Sequence, residues 1–425
     1  MIGTQTLAPP RALIAATISR VLARINAISA GRPGWTRPSY SALESEAHAV
    51  IEAEARAIGC AVRRDAAGNL FATLPGRDRG ARPLYIGSHL DTVSQGGAYD
   101  GQAGVVGALA VLGAFHATGQ VPPMDLVLTV TRAEESVWFP VSYAGARAAL
   151  GRLSPEDYAA PRSDTGLSLA DHMAQEGFDP KAVRALTPPA PARFVEFHIE
   201  QGPVLHEAGE AYAVVDRVRG GLRYRNASVQ GTWAHSGGAP RASRADAVVA
   251  LARLILAMDE VWQRMLTAGH DLTVTFGRLD AASAQHAMAK VPGQAAFCLD
   301  LRSDQTATLE SANAVLMQEI ARIEANSPGI RFDLGAQSRS APAALSSEMA
   351  RFICVGAAAQ GDAPRVMLSG GGHDAAAFGA AGWDSVMVFI RNWNGSHCPE
   401  EAMDEADLAR AVGAVFLAIQ HEGAA

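Results

Sequence analysis

The segment from Leu84 to Phe115 constrains this chain more than any other. It opens on a short apolar run, Leu84-Tyr85-Ile86-Gly87, that predicts a buried strand. It closes on an Ala/Val/Leu-rich run, Ala103–Phe115, that predicts a buried helix. A second continuous apolar run, Asp125–Thr131, follows and predicts another strand. Strand, helix and strand in this order form the repeating unit of an open α/β sheet, whose sites lie outside the carboxyl ends of the strands. His89, Asp91 and Asp100 follow the first run, and Arg132-Ala133-Glu134-Glu135 follows the second. Imidazole and carboxylate are suitable donors for a hard-to-borderline divalent metal. Taken singly, His89 with Asp91 reads equally as a loop pair, and Glu134-Glu135 as a solvated turn.

The chain has 425 residues, more than one ordinary core holds, so two domains are predicted. Hydrophobic content of 48% against 19% charged residues provides a globular chain with a substantial interior. A net charge of −7 and a pI near 6.0 leave no basic stripe to follow phosphates, which argues against a nucleic-acid partner. Cys60, Cys298, Cys354 and Cys398 form no CxxC pair, and their scatter suits a reducing, cytoplasmic setting. Arg11, Arg20 and Arg24 interrupt the Ala-rich stretch Ala8–Ala30, which predicts neither a membrane span nor a signal peptide.

Residues 12–30 and Ser41–Ile58 predict helices, the second opening on Ser-Ala-Leu-Glu, a capping-box pattern. Cys60–Arg64 and Asn69–Leu74 alternate around Ala66-Ala67-Gly68 and predict a hairpin. From Gly145 to Pro191 the chain reads as helices and loops, with His172 exposed. Phe194–Ile199 predicts a strand containing His198, which alone reads equally as a core histidine. Beyond Val214 the texture changes. Strands at Asn226–Gly231, Leu272–Leu279 and Gln294–Arg302, with helices at Asp246–Met258 and Ala307–Ile323, predict an inserted α+β unit that ends near Ser340-Ala341-Pro342. The remainder reads as a helix at Ser347–Gln360, a small-residue helix after His373, a strand at Val386–Ile390 and a helix over 403–420.

His89, Asp100, Glu135, His198 and His397 thus lie at or just beyond predicted strand ends. Five nitrogen or carboxylate donors with no thiolate cluster predict a metal site with room for two ions. One carboxylate would then bridge, relieving the repulsion between the cations. Glu134 remains free to act as general base for the attacking water.

The motifs SHLDTV, GGAYDG, AEE, EFHIEQGPVL, GTWAHSGGAP, LDLRS, GGGHDA and GSHCPEE resemble, in order over residues 85–401, those of the N-carbamoyl-amino-acid amidohydrolases. That group includes β-ureidopropionase and allantoate amidohydrolase, within the dinuclear aminopeptidase-like (M20-type) metallohydrolases. The HIEQG form, with histidine where the peptidase branch carries a carboxylate, favours the carbamoylase branch. The resemblance implies an α/β fold: an aminopeptidase-like metal-binding domain, a mixed sheet flanked by helices, over 1–213 and 341–425. An inserted α+β lid and dimerisation domain would span 214–340. It implies two divalent ions per subunit (Zn, Mn, Co or Ni), a cytoplasmic homodimer, and no nucleic-acid or membrane partner. By motif, His89 and His198 would hold one ion, Glu135 and His397 the other, and Asp100 would bridge. Asp91 would orient His89, and Glu134 would be the base. His235 would stabilise the oxyanion, in that family usually at the partner subunit's site. Gln201 and Arg302 match positions that bind a substrate carboxylate, and His373 matches a pocket position.

The implied activity is metal-dependent hydrolysis of an amide or carbamoyl C–N bond in a small carboxylate-bearing substrate, foremost an N-carbamoyl amino acid. Two departures bear on it. Ala289 replaces an asparagine that would bind the carboxylate, leaving His286 or Lys290 to substitute. Ser136-Val137-Trp138 replaces a glycine and a basic residue after the Glu pair, with Trp138 offering apolar surface. Both motivate an alternative hydrolase acting on another C–N bond, as in an aryl amine, an amidine or an acyl amino acid. A non-catalytic binding scaffold is the third reading, disfavoured because all five ligands and Glu134 are present.

Overall fold

The computed structural model describes residues 8–29, 31 and 33–422. The predicted helix end at Ala30, the loop residue Arg32 and the predicted domain ends at 1–7 and 423–425 lie outside them. Two compact units emerge, one running to Val218 and resuming at Ala344, the other spanning Arg219–Ala343.

The first unit is a mixed sheet flanked by helices. Its strands run in the order Ala61–Arg64, Leu70–Leu74, Leu126–Thr131, Leu84–His89, Arg193–Ile199, Asp384–Ile390 and Tyr212–Val218, and the last also takes Val366–Ser369 alongside. The four strands from Leu126–Thr131 to Asp384–Ile390 are mutually parallel. Their carboxyl ends therefore open on one edge. Leu70–Leu74 and Tyr212–Val218 flank them antiparallel. Every residue of Leu126–Thr131 is buried, which explains its unbroken apolar run.

The predicted buried helix extends over Gln102–Ala117 and shares its core with the helices Arg11–Ser29 and Glu405–Glu422. Gly104 lets it approach the sheet, since a Cβ there would lie 2.0 Å from the Phe197 carbonyl oxygen. By length and composition alone Arg11–Ser29 would pass as a membrane span. Its Ile14, Ile18, Val21, Leu22 and Ile25 are buried in this core.

The second unit stacks the helices Ala247–Thr267 and Thr306–Asn326 against an antiparallel sheet. That sheet runs Arg331–Asp333, Gly220–Gln230, Gln294–Ser303, Thr273–Asp280, with Gln337–Ser340 also on Gly220–Gln230. Asp246 caps the first helix by accepting the Val249 amide at 3.0 Å.

Several expectations need correction. The predicted boundary at residue 214 would cut Tyr212–Val218, where Val214 and Val215 are fully buried and face Val388 and Met387. The Asn226–Gly231 strand begins at Gly220, so Arg223 and Arg225 lie within it. His172 is buried rather than exposed: its ring meets Phe139 edge-on at 5.7 Å, and Nε2 lies 2.7 Å from the Thr165 hydroxyl. Ser41 does cap the Ala42–Ala57 helix, but Glu44 does not complete the box. Its buried carboxylate instead accepts the Tyr40 and Ala133 amides and pairs with the fully buried Arg132 at 2.8 Å. A guanidinium without water needs an opposite charge, and Glu44 supplies it.

Candidate metal centre

All four central parallel strands deliver side chains to the same edge. His89 ends one strand and His198 lies one residue before the end of the next. Glu134 and Glu135 follow Thr131, and His397 follows Ile390 in the loop beyond. Asp100 precedes the Gln102–Ala117 helix. Gly101 beside it has φ +67°, and a Cβ there would meet the His89 ring at 2.4 Å. Glycine is therefore required behind His89.

Two triads result. His89, Asp100 and His198 form one; Asp100, Glu135 and His397 form the other, the ligand atoms of each lying within 4.8 Å of one another. Asp100 belongs to both. Its Oδ1 lies 3.5 Å from His89 Nε2 and 3.2 Å from His198 Nε2, and its Oδ2 lies 3.4 Å from His397 Nε2. His397 Nε2 is also 3.4 Å from Glu135 Oε1. The two imidazoles of the first triad are oriented from behind. His89 Nδ1 donates to the Asp91 carbonyl at 3.0 Å and His198 Nδ1 to the Ile199 carbonyl at 2.9 Å. Each ring thus carries a proton on Nδ1 and directs Nε2 toward Asp100.

The residues fit a cation. Asp100 Oδ1 is buried and meets no geometrically good hydrogen bond among the described residues, an arrangement that a cation shared with the two Nε2 atoms would relieve. Burial, reinforced by Asp100, pushes the Glu135 carboxyl up to about 7. Burial opposes charge on His397, but its hydrogen bond to Asp100 and the charges of Glu135, Asp100 and Glu401 prevail and raise it to about 9. Burial, with Glu135, Asp374 and Asp91 adding to it, holds Glu134 well above the ordinary carboxyl range against the pull of His89. So many buried acids at one point require compensating positive charge.

Behind the triads lies a layer of which the sequence reading assigned only Asp91. Asp91 accepts the Glu134 and Glu135 amides, each at 3.1 Å, and the Ser39 hydroxyl at 2.6 Å. Glu401 accepts the amides of Tyr99 and Asp100 at 3.0 and 3.2 Å, and Ser396 donates to both Glu401 and Asp100. The one cue to Glu401 is its position four residues beyond His397. Ala133, Gln201 and His397 all have φ between +50° and +61°, unusual for non-glycine residues, and such strain gathers at functional sites.

The substrate-binding expectations meet varied surroundings. Gln201 Nε2 donates to Asp100 Oδ2 at 2.8 Å and lies 3.2 Å from His397 Nε2, beside the second triad. His373 is buried, with its ring 4.4 Å from that of His198 and Nε2 2.9 Å from the Ser369 hydroxyl. Trp138 offers no open apolar surface: it is buried, and its indole N–H donates to the Thr92 carbonyl at 2.7 Å. In the second unit, Arg302 bonds Asp300 at 2.8 Å, and His235 is exposed. The Gly237 and Gly238 amides both donate to His235 Nδ1, at 3.2 and 3.0 Å. Its proton therefore sits on Nε2, which makes the outer edge of the ring a neutral N–H donor.

Comparison with known proteins places this geometry in context. The sequence profile of peptidase family M20/M25/M40 matches residues 85–421. An N-carbamoyl-L-amino acid amidohydrolase of Geobacillus stearothermophilus is 32% identical over 391 residues, 90% of this chain and 92% of that protein. An allantoate amidohydrolase of Escherichia coli (strain K12) is 31% identical over 388 residues, again 90% and 92%. Among solved structures, a hydantoinase/carbamoylase family amidase from Burkholderia ambifaria superposes with a TM-score of 0.83 at 26% identity, covering 99% of each chain.

Proposed function

The chain belongs to the M20/M25/M40 peptidase family, and from that premise we propose that it is a metal-dependent amidohydrolase acting on a small carboxylate-bearing substrate, foremost an N-carbamoyl amino acid. The observation that carries the reading is Asp100, whose two oxygens serve two separate ligand triads. His89 and His198 would hold one divalent ion (Zn, Mn, Co or Ni), Glu135 and His397 a second, with Asp100 between them. Bound there, the ions supply Lewis-acid polarisation of the scissile carbonyl and lower the pKa of water.

The remaining roles fall to side chains. Glu134 takes the proton from the attacking water and returns it to the departing nitrogen; its backbone is fixed by Asp91 and its carboxyl is not a member of either triad. Asp91 positions His89 and both residues of the Glu pair. His235 presents an N–H suited to a developing oxyanion. Gln201 and Arg302 address the substrate, and His373 packs behind His198. The family resemblance adds a cytoplasmic homodimer in which His235 completes the site of the other subunit.

The burial of Trp138 removes one reason for an aryl-amine substrate, leaving Ala289 as the departure that bears on specificity. A panel of N-carbamoyl, N-formyl, N-acyl and aryl-amino acids, assayed for ammonia or amine release on metal-reconstituted protein, tests the reading. Carbamoyl substrates should lead. Release only from an aryl amine or amidine would overturn the choice of bond, and metal-loaded protein without turnover of any would overturn hydrolysis.

A further inference from the structure

The second unit contains a short ladder in which Ala234–His235 runs antiparallel to Lys290–Val291, with Lys290 directly opposite His235. The Ser236 amide donates to the Ala289 carbonyl at 2.9 Å. That bond makes the adjacent 235/290 pair the non-hydrogen-bonded kind, in which opposed side chains share a face with Cβ atoms roughly 4.5–5.5 Å apart. Both side chains are exposed.

The neighbouring groups are already committed. His286 meets Trp233 edge-on at 4.8 Å, and both its nitrogens are occupied: Nδ1 lies 2.8 Å from the Ser283 hydroxyl, and Nε2 donates to the Gln294 carbonyl at 3.0 Å. Arg244, also beside this turn, gives its guanidinium to the carbonyls of Ala239 and Ser236. Position 289 has no polar side chain. Lys290 stands 6.0 Å from the centroid of the Trp233 ring and donates one N–H to the Gln285 carbonyl at 3.0 Å. An ammonium has three donors, so two remain.

We infer that Lys290 is a substrate-binding residue that takes the substrate carboxylate beside His235. The inference rests on the hydrolase reading above, because it assigns the carboxylate to the lysine and the scissile carbonyl oxygen to the histidine. The two residues are direct cross-strand partners with exposed side chains. A substrate whose carbonyl and carboxylate are separated only by the nitrogen and the α-carbon presents its two acceptors as similarly close neighbours. A lysine, as a mobile point charge, also accepts a wider range of carboxylate positions than a side-chain amide fixed by its backbone.

The test compares an N-carbamoyl amino acid with its neutral carboxamide on manganese-reconstituted wild type, Lys290→Met and Lys290→Arg. Turnover is followed together with calorimetric binding to the corresponding Glu134→Gln proteins. Lys290→Met should raise KM and Kd for the carboxylate on the order of 10–100-fold, the loss of one charge-assisted contact, with kcat and metal content kept. The carboxamide should be unaffected, and Lys290→Arg should recover most of the affinity. If wild type hydrolyses the carbamoyl compound and Lys290→Met keeps the same preference for carboxylate, the assignment of Lys290 fails alone. A loss confined to kcat and equal for both compounds would also overturn it, placing the lysine at the oxyanion instead. Binding that depends on Lys290 without any hydrolysis would uphold the lysine and overturn the hydrolase reading. Neither binding nor turnover would overturn both.

Discussion

Asp91 and Glu134 are joined through the backbone: Asp91 Oδ1 accepts the Glu134 N–H at 3.1 Å, while its other oxygen accepts that of Glu135. One carboxylate therefore fixes the candidate base and a candidate ligand, besides lying 3.3 Å from His89 Nδ1. Asp91→Asn keeps the shape but turns an NH2 group toward an amide donor and removes the charge beside His89. Metal affinity or kcat should fall by about 10–100-fold, the usual effect of losing a ligand's outer partner. Competitive metal titration and steady-state kinetics check it; wild-type values for both would show that the amides hold themselves.

Asp100→Ala should abolish binding of both ions, because both triads share it. His397→Ala should weaken one site and spare His89 and His198. Elemental analysis of the two variants after dialysis against the same metal buffer distinguishes shared from separate ligation. Double occupancy in Asp100→Ala would remove the bridge.

Glu134→Gln should retain metal and bind substrate while kcat drops by at least ~10²-fold, since the amide accepts no proton. The measurement is kcat at saturating substrate alongside metal content. A near-normal kcat would place the base elsewhere.

His235→Ala should fold and bind metal normally yet lose on the order of 10²–10³ in kcat, the usual loss for one oxyanion donor. If the histidine serves the other subunit, mixing inactive His235→Ala with inactive Glu134→Gln should regenerate activity in heterodimers holding one intact site. Subunit exchange confirmed by mass spectrometry without recovery would refute a role across subunits.

Glu44→Ala should destabilise the protein by about 3–5 kcal/mol, because it leaves the Arg132 guanidinium buried without its partner. Denaturant unfolding of the metal-free protein reads this directly. A loss below ~1 kcal/mol would mean that water reaches Arg132 in the variant.

The centre was legible to the extent that apolar runs mark strands. His89, Glu135 and His397 follow such runs and His198 lies near the end of one, a placement that in an open α/β sheet predicts a common edge. Their supporting layer left no comparable trace. Ser39, Ser396 and Glu401 act through loop contacts, and a loop's path is set by hydrogen bonds that periodicity does not record. Trp138 illustrates the same gap: an aromatic side chain near the Glu134-Glu135 pair says nothing of which way the turn directs it. The boundary expected at 214 followed the arginine-rich texture beyond it, but composition reports exposure to water rather than strand pairing. Val214 and Val215 sit in the first unit's sheet regardless.

The position of Asp384–Ile390 in the sheet governs when this protein becomes competent. That strand lies between Arg193–Ile199 and Tyr212–Val218, although it is made long after both. A nascent chain emerging from the ribosome already carries His89, Asp100, Glu135 and His198, but must wait for Asp384–Ile390 before the two parts of the sheet can join. Until then two apolar strand edges are open, which makes them targets for chaperones or aggregation. The same late insertion brings the loop with His397 and Glu401. A chain cut before Asp384 would lack His397 and Glu401 and leave both strand edges open, so we expect truncation there to cost solubility as well as activity.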